Sequence, residues 1–418
     1  MKFWRLSMHI LFVAPYPLSR IRIRSYGFVS QLAKRHDVTA LVLCSNKREV
    51  RDVQALRDDG LAIYAVEDKR VWKVWRTLRA IFTSQPLQVA FDASPRLCAA
   101  LNEHMAGGDF DLVHVEFIRA LGALPQEISL PVVWDAVDCI SMLYEQGTKY
   151  GATPMLRLIG KSEAARTRAY EYTQLRRFQH VLVTSPRDQE ALRLIAQDAG
   201  LGADKRPPAP ITVLPHGVDQ EYYQYYQGER QPDMLIFSGK MSFHANVAGA
   251  LHLAKNIMPL IWRERPQVRL VIAGSKPPAS VRSLARDPRV DVTGYIDDLR
   301  SFIREAHVAV CPLPYAVGVQ NKALEAMALG TPVVASSHVT AGLKAVPGQD
   351  ILVADEPELF AQAVLCLLDD QALWQTISQN GHMYIEKHHN WKHIVNDLTS
   401  IYAQSIYDTN ASLFAQER

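Results

Sequence analysis

The residues best suited to chemistry lie in the segment 317–336, VGVQNKALEAMALGTPVVAS. It begins as a loop containing Gly318 after a predicted strand, continues as a predicted helix from about Lys322, and returns to the next strand after Gly330. The free amides of a helix N-terminus, with a lysine in the first turn, suit a diphosphate. Glu325 lies one turn further on, where a carboxylate can accept hydrogen bonds from two ribose hydroxyls, each worth about 1.5–3 kcal/mol. The pattern predicts a nucleotide diphosphate site.

Two other groups of charged residues follow predicted strands in the first half. The loop PYPLSRIRIRSYG carries Arg20, Arg22 and Arg24 at alternate positions. Three guanidinium groups there would suit an anionic acceptor or a pyrophosphate, and the alternative is a solvated loop. Asp135 and Asp138 belong to PVVWDAVD and could bind sugar hydroxyls or orient the nucleophile, or else cap a helix or turn. We predict a functional role for at least one of these two aspartates.

Glu116, at the end of LVHVE, is a weaker candidate of the same kind. A lone histidine is more often structural, and no His/Asp spacing here indicates a metal site. Of the histidines we retain His244, because its loop adjoins Lys240. No D-x-D motif follows a strand. We therefore predict a reaction without metal or cofactor, in which lysines and helix dipoles neutralise the leaving diphosphate.

The elements that must position these residues are short apolar runs alternating with amphipathic helical segments. Strands that helices cover on both faces read as continuous Val/Ile/Leu runs, so the alternation predicts α/β architecture with parallel, doubly wound sheets. The predicted strands are 9–14, 38–43, 61–66, 112–116, 131–136, 180–185 and 211–215 in the first half, and 234–239, 268–274, 290–294, 308–313 and 331–336 in the second.

Length and composition indicate two globular domains. The chain has 418 residues, and the polar segment 219–233 separates the two series of strands. We predict Rossmann-like domains over 1–222 and 223–390. With 46 basic and 43 acidic residues, the charge is too balanced to indicate a nucleic-acid partner. Five scattered cysteines fit a reducing cytoplasm, and neither a signal peptide nor a membrane-spanning run of about 20 apolar residues is predicted.

LEAMALGTPVVAS resembles the nucleotide-sugar-binding helix of retaining family-4-type glycosyltransferases with the GT-B fold. The form G-x-Q-N-K-x-L-E-A-M-A is similar to a subgroup associated with bacterial exopolysaccharide assembly. LPHGVD (214–219), FSGK (237–240) and VIAGSKP (271–277) resemble further landmarks of the family in the right order. The resemblance implies two domains facing a cleft, with the acceptor on the first and the sugar nucleotide on the second. It also implies a last helix, 391–408, that packs back on the first domain.

The resemblance also assigns donor-binding residues. Glu325 would bind the ribose, and Lys240, next to Gly239, stands where the family has a phosphate-binding arginine. Backbone amides around Gln320, Asn321 and Lys322 would contact the distal phosphate or the donor sugar.

Three positions depart from the family pattern. Val317 replaces the family's first glutamate, Ala245 replaces its second phosphate lysine, and no histidine follows PVVWDAVD. Lys322 could supply the missing positive charge, and we include it with Asp135 and Asp138 among the candidate catalytic residues. The missing glutamate leaves open which donor sugar is used.

The segment 69–86, KRVWKVWRTLRAIFTSQP, predicts a basic amphipathic helix. Such a helix either packs its apolar stripe on its own sheet or lies in a membrane interface near a lipid-linked acceptor. The second alternative would place the protein at the inner face of the cell membrane, through residues 69–82.

The sequence therefore predicts a hexosyl-type glycosyltransferase of the cytoplasm. It would move a sugar from a nucleotide-diphosphate donor to an exopolysaccharide or glycolipid acceptor, with retention implied by the resemblance alone. Two alternatives stay open: a UDP-sugar epimerase on the same fold, and a catalytically silent relative that binds a sugar nucleotide or a partner protein.

Overall fold

The computed structural model describes residues 7–19, 22–149, 154–202, 206–316 and 318–416. It divides into two compact units. Unit 1 comprises Met1–Gly217 together with Trp391–Arg418, and unit 2 comprises Val218–Asn390. The boundary after Gly217 precedes the predicted one after residue 222.

Unit 1 contains a parallel seven-stranded sheet in the described residues, with strand order β3-β2-β1-β4-β5-β6-β7. Its strands are β1 (His9–Ala14), β2 (Asp37–Cys44), β3 (Ala62–Glu67), β4 (Leu112–Glu116), β5 (Val132–Val137), β6 (His180–Val183) and β7 (Ile211–Val213). The helices before residue 217 are α1 (Ile23–Leu32), α2 (Lys47–Asp58), α3 (Arg70–Ala80), α4 (Leu87–Asp92), α5 (Pro95–Gly107), α6 (Ile140–Lys149), α7 (Pro154–Gln174) and α8 (Pro186–Gln197).

The continuous apolar strands of unit 1 supply a core on each face of the sheet. Along β1, Leu11 and Val13 belong to one core cluster, whereas Ile10 and Phe12 belong to the other. All four side chains are fully buried. This alternation explains why the strand has no polar position after His9, as expected of a parallel sheet covered by helices on both faces.

Unit 2 contains a parallel six-stranded sheet in the described residues, with strand order β10-β9-β8-β11-β12-β13. Its strands are β8 (Gln231–Ser238), β9 (Arg269–Ala273), β10 (Val290–Gly294), β11 (Ala306–Cys311), β12 (Val333–Ala335) and β13 (Leu352–Val353). Its helices are α9 (His244–His252), α10 (Met258–Glu264), α11 (Ala279–Arg282), α12 (Leu299–Glu305), α13 (Asn321–Ala328), α14 (Ser337–Thr340), α15 (Pro357–Asp369) and α16 (Gln371–His388). The short strand β13 is absent from the sequence prediction because two residues leave no periodic signal.

The last helix, α17 (Trp391–Gln416), packs within unit 1. It extends beyond residue 408, where the sequence analysis ended it. Trp391 lies against two glycines, since a Cβ atom on Gly27 or Gly217 would lie 2.0 or 2.5 Å from its ring. Further along, the Tyr402 hydroxyl and His114 Nδ1 of β4 are 2.7 Å apart and both residues are buried.

Helix α3 does not pack its apolar stripe on its own sheet, which was one of the two alternatives from the sequence. It buries its charged side instead. Lys73 is buried and Arg76 partly buried, whereas Trp72, Trp75 and Leu78 are about half exposed. That alternative is wrong, because ion pairs beneath the helix take the place of apolar packing. None of the helices in the described part of the chain is both long enough and apolar enough to cross a bilayer.

Replacing Trp391 with Ala should destabilise unit 1 by about 3–5 kcal/mol, because it leaves a cavity between α1 and α17. Its control is Tyr407→Ala on the same helix, where the side chain is 64% exposed and the change should stay within about 0.5 kcal/mol. Denaturant unfolding of both variants measures the difference. Equal effects would mean that α17 does not stabilise the unit through Trp391.

Candidate functional site

The predicted donor residues lie at the carboxyl edge of the unit 2 sheet, at the point where its strand order reverses. From β8 the chain proceeds outward through β9 and β10, and it returns to pair β11 with the other side of β8. Loops that follow adjacent strands on the two sides of such a point diverge and leave a crevice that binds ligands in α/β sheets. Gly239 and Lys240 follow β8, and Gly318 lies in the loop after β11.

Helix α13 positions Lys322 and Glu325 beside this crevice. Its apolar residues Ala323, Leu324, Ala326 and Met327 are buried and fix the helix on the sheet. Lys322 and Glu325 are spaced by three residues and so share a helix face. Gln320 occupies the N-cap without a side-chain capping bond, and the Ala323 amide of the first turn donates to its carbonyl oxygen at 3.0 Å.

Lys322 and Glu325 form a partly buried pair of opposite charges. The Lys322 ammonium donates to Asn246 Oδ1 at 2.5 Å and lies 5.4 Å from the centre of the Phe237 ring. Burial lowers the pKa of Lys322, although the nearby Cys311 and Glu325 oppose this shift. Burial raises the pKa of Glu325 to about 7, although a hydrogen bond from Tyr223 and the charge of Lys322 favour its ionised form.

Two glycines allow the loops at this edge to approach each other. A Cβ atom on Gly274 would lie 1.8 Å from the Gly239 carbonyl oxygen, and both glycines have a φ of 148°. A Cβ atom on Gly239 would lie 2.8 Å from Asn246 Nδ2 and 3.2 Å from Lys322 Cε. The backbone at Gly239 therefore lies directly against the Lys322–Asn246 pair, and only glycine fits there.

The remaining predicted residues surround this centre. Lys240 is exposed, and its carbonyl oxygen accepts a 3.0 Å hydrogen bond from Asn246 Nδ2. His244 begins α9, and its Nδ1 lies 2.5 Å from the hydroxyl of Tyr315. Burial lowers the pKa of His244, which favours a neutral imidazole. Gly318 has a φ of 61°, in the left-handed region.

The structure thus brings Gly239, Lys322 and Glu325 together, with Lys240 in the adjoining turn. Gln320 and Asn321 lie at the start of α13. Val317 lies outside the described residues. Sequence reasoning missed Tyr223, Asn246 and Tyr315 as site residues. Tyr223 belongs to the segment interpreted as a polar connection, where the repeated tyrosines of YYQYY were the available signal.

In unit 1, Asp135 and Arg24 form a buried ion pair. The Arg24 guanidinium donates to both oxygens of Asp135 at 2.6 and 2.8 Å, and also to the Leu214 carbonyl oxygen at 2.8 Å. Burial alone would raise the pKa of Asp135, but the charges and hydrogen bonds of Arg24 and His114 together outweigh it and the pKa is lowered. Asp135 is fully buried and His114 Nε2 lies 3.6 Å from it.

This ion pair corrects two predictions from the sequence: that Arg24 lies in a loop that binds an anion, and that Asp135 faces a substrate. Arg24 lies in the first turn of α1, not in a loop, and its guanidinium is engaged with Asp135. Asp135 faces the interior under α1, so in this conformation neither residue presents a free charge to a substrate. Arg20 lies outside the described residues, and Arg22 is exposed at the N-cap of α1.

Asp138 is partly exposed and lies beside other polar groups. The hydroxyl of Thr184 donates to its Oδ1 at 3.2 Å. Burial and the neighbouring Asp188 carboxylate raise the pKa of Asp138 to about 7. A carboxyl group that titrates near neutrality can exchange protons with a substrate, so Asp138 is the better placed of the two aspartates.

A second cluster lies where the strand order of the unit 1 sheet reverses, between β1 and β4. Tyr16 donates to Glu116 Oε1 at 2.7 Å, and the guanidinium of Arg22 lies 3.7 Å from the Tyr16 ring centre. Burial and the charge of Asp135 raise the pKa of Glu116 to about 7. The topology makes Glu116, the weakest of the sequence candidates, the one at the position where α/β sheets bind ligands.

Backbone strain coincides with these edges. Among the described residues other than glycine, positive φ values occur at Phe117, Val137 and Lys276, which are 67°, 67° and 56°. Each follows or ends a strand, namely β4, β5 and β9. Residues in this region cost about 1–3 kcal/mol and concentrate at functional sites. Phe117 adjoins Glu116, and Val137 adjoins Asp138.

Comparison with solved structures identifies the architecture as the GT-B fold. Sucrose-phosphate synthase from Thermosynechococcus elongatus superposes with a TM-score of 0.64 at 17% identity, covering 95% of this chain and 98% of the other. HepE from Anabaena, solved in complex with UDP and glucose, gives 0.65 at 13% identity, covering 95% and 99%. The predicted GT-B fold with two Rossmann-like domains is confirmed.

Sequence comparison finds a match to a glycosyltransferase family model within unit 2. Residues 232–370 match the family model described as glycosyl transferases group 1. The Bacillus subtilis protein YtcC, whose name assigns it provisionally to the glycosyltransferases, is 24% identical over 225 residues, which is 50% of this chain and 54% of YtcC. The chain spans about half the length of the curated relatives it matches.

Replacing Glu325 with Gln should stabilise the ligand-free protein above pH 7. The unfolded carboxyl ionises near its usual pKa of 4.5, whereas the folded one stays protonated up to about 7. The free energy of unfolding of the wild type therefore falls as pH rises through that interval, and it is level above it. Glutamine removes this slope and should add about 1–3 kcal/mol at pH 8.

Thermal unfolding from pH 4.5 to 8.5 measures this effect, and the exposed Glu264→Gln is its control. If the stability difference between Glu325→Gln and the wild type is no larger at pH 8 than at pH 5, burial of the carboxylate does not cost the folded state free energy.

Replacing Arg24 with Met should destabilise unit 1 by about 3–5 kcal/mol, because it leaves Asp135 buried without its partner. The double variant Arg24→Met, Asp135→Leu should recover most of that loss, since no uncompensated charge remains. Denaturant unfolding of the two variants tests this. Loss of less than about 1 kcal/mol in the single variant would contradict the structural role assigned to the pair.

Proposed function

We propose that the protein transfers a sugar from a nucleotide-diphosphate donor to a glycan acceptor. The observation that carries the proposal is the Lys322–Glu325 pair on α13, beside the crevice of the unit 2 sheet. Withdrawing these two charges partly from water costs free energy in the ligand-free protein, and a ligand that binds both of them would offset that cost. A nucleoside diphosphate supplies the complementary groups, with phosphate oxygens for the lysine and ribose hydroxyls for the carboxylate.

The donor phosphates would lie at the N-terminus of α13. Backbone amides of Gln320, Asn321 and Lys322 and the positive end of the helix dipole favour an anion there. Lys322 would move from Asn246 to the diphosphate, and the exposed Lys240 would approach from the adjoining turn. These groups neutralise the charge that develops on the leaving diphosphate, so we propose a transfer that needs no metal ion.

The ribose would bind Glu325 in its ionised form. With a pKa of about 7, this carboxylate is only partly ionised at neutral pH. Two hydroxyl donors stabilise the charged form and lower that pKa when the nucleotide binds. Tyr223, which hydrogen-bonds Glu325, orients the carboxylate in the absence of the ligand.

The acceptor would bind unit 1 at the cluster of Tyr16, Arg22 and Glu116, with Asp138 as a further candidate for proton transfer. The family resemblance supports a retaining reaction on a hexose donor, in the cytoplasm, toward an exopolysaccharide or lipid-linked glycan. We choose Glu116 and Asp138 as candidates for proton transfer because both have a pKa near 7. A carboxyl group with such a pKa can exchange protons with an acceptor at neutral pH.

Isothermal titration with UDP, GDP and ADP tests the donor site. We expect one nucleotide to bind, and we expect Lys322→Ala and Glu325→Ala to weaken it by about 10- to 100-fold, the loss of about 1.5–3 kcal/mol per charge-assisted contact. The exposed Lys255→Ala in unit 2 is the matched control and should bind as the wild type does. Binding of no nucleotide by the folded wild type would remove the proposal's support.

Turnover of the matching sugar nucleotide then separates the enzyme classes. Transfer to an added glycan, or slow hydrolysis to the free sugar, agrees with the proposal. Conversion to an epimer would favour the epimerase, and nucleotide binding without turnover would favour the silent relative.

A further inference from the structure

Helix α3 and the turn after it present an apolar face to solvent. Their exposed fractions are 65% for Val71, 54% for Trp72, 46% for Val74, 49% for Trp75, 55% for Leu78, 46% for Ile81 and 90% for Phe82. These seven side chains, which we call the α3 face, belong to one twelve-residue stretch, 71–82. An apolar group of this size on one element marks an interaction surface in most soluble proteins.

The α3 face points outward because the opposite side of the helix binds unit 1 through charges. Lys73 Nζ donates to Asp92 Oδ1 at 2.8 Å, and both side chains are buried. Arg76 pairs with the buried Asp68 and donates to the Phe91 carbonyl oxygen at 3.0 Å. Burying these ion pairs instead of the tryptophans forgoes apolar burial, so the orientation is a specific feature of the sequence.

The end of the helix is fixed in the same way. Arg166 of α7 donates to the Ile81 carbonyl oxygen at 2.9 Å and pairs with Glu163. Glu163 in turn accepts a 2.9 Å hydrogen bond from the Leu87 amide at the start of α4. The turn that carries Phe82 is therefore tied to neighbouring helices on both sides, and Phe82 stays exposed.

The charges within the stretch that carries the α3 face are of one sign. The stretch 69–85 contains no acidic residue, and its cations Lys69, Arg70 and Arg79 are exposed. Of the nearby acids, Asp68 and Asp92 are buried beneath the helix by their ion pairs, and the exposed Glu67 precedes the helix at the end of β3. The Arg79 guanidinium also lies 4.6 Å from the Trp75 ring centre, within the range of a cation–π contact.

We propose that the α3 face docks on the surface of an anionic lipid bilayer. Tryptophan and phenylalanine insert at the boundary of headgroups and acyl chains, and arginine and lysine beside them bind lipid phosphates. A second copy of the chain fits less well, because two α3 faces would bring their exposed cations together and the stretch 69–85 carries no acid to compensate them. The surface belongs to unit 1 alone and is independent of the donor site, although it suits an enzyme with a lipid-linked acceptor.

Flotation of the full chain with vesicles tests the proposal. One set contains phosphatidylcholine alone, and the other contains phosphatidylcholine with phosphatidylglycerol. We expect about 10- to 100-fold stronger binding to the anionic vesicles, because three exposed cations act near the surface. The double variant Trp72→Ser, Phe82→Ser should lose binding to both sets, and Lys69→Glu, Arg70→Glu should lose the preference for anionic lipid.

Matched controls are Leu194→Ser, an apolar residue of α8 that is 55% exposed, and the exposed Lys34→Glu. Both should bind vesicles as the wild type does. Circular dichroism and sedimentation velocity, run on every variant, report folding and self-association.

Three results would overturn the proposal. They are a folded wild type that binds neither vesicle set, binding that the α3 variants leave unchanged, and self-association that only the α3 variants abolish. The last would identify the α3 face as an interface between copies of the chain. Each result leaves nucleotide titration free to support or refute the donor site separately.

Discussion

The donor site depends on keeping two opposite charges partly out of water without letting them neutralise each other. Lys322 donates to Asn246, and Glu325 accepts from Tyr223, so each charge has a neutral partner from another element of unit 2. Burial lowers the pKa of the lysine and raises that of the glutamate, so burial disfavours the charged form of each group in the ligand-free protein. In the proposed function, a ligand with phosphate and hydroxyl groups would relieve both, and the glycines at 239 and 274 let the two loops beside it approach each other.

In unit 1, two buried opposite charges form a direct ion pair instead. Arg24 and Asp135 form an ion pair that connects α1 to the sheet. His114 lies beside Asp135 and also contacts the hydroxyl of Tyr402 on α17. Glu116, Asp138 and Glu171 are acids of unit 1 whose pKa is raised to about 7 without such a cationic partner, and of these three Glu116 and Asp138 lie beside a backbone residue with positive φ. A perturbed pKa together with local strain distinguishes candidate functional acids from structural ones.

The sequence was sufficient for every strand except β13, for the parallel sheets and for the position of Lys322 and Glu325 on a helix, because hydrophobic runs and helix spacing are local properties. It could not show that Arg24 reaches Asp135, since 111 residues separate them along the chain. Tyr223 was missed because the repeated tyrosines of YYQYY do not by themselves show that this polar segment folds over α13. The orientation of α3 was equally hidden: its periodicity shows that one face is apolar, but only the acids beneath it, Asp68 and Asp92, determine which face is buried.

The most direct test of the donor site compares two ligands on two proteins. The nucleoside diphosphate that binds and its 2′,3′-dideoxy analogue would be titrated into the wild type and into Glu325→Ala. If Glu325 binds the ribose, the wild type should prefer the natural nucleotide by about 10- to 100-fold, and the variant should bind the two almost equally. Equal preference in both proteins would show that the ribose does not contact Glu325, and the assignment of the α13 site would be wrong.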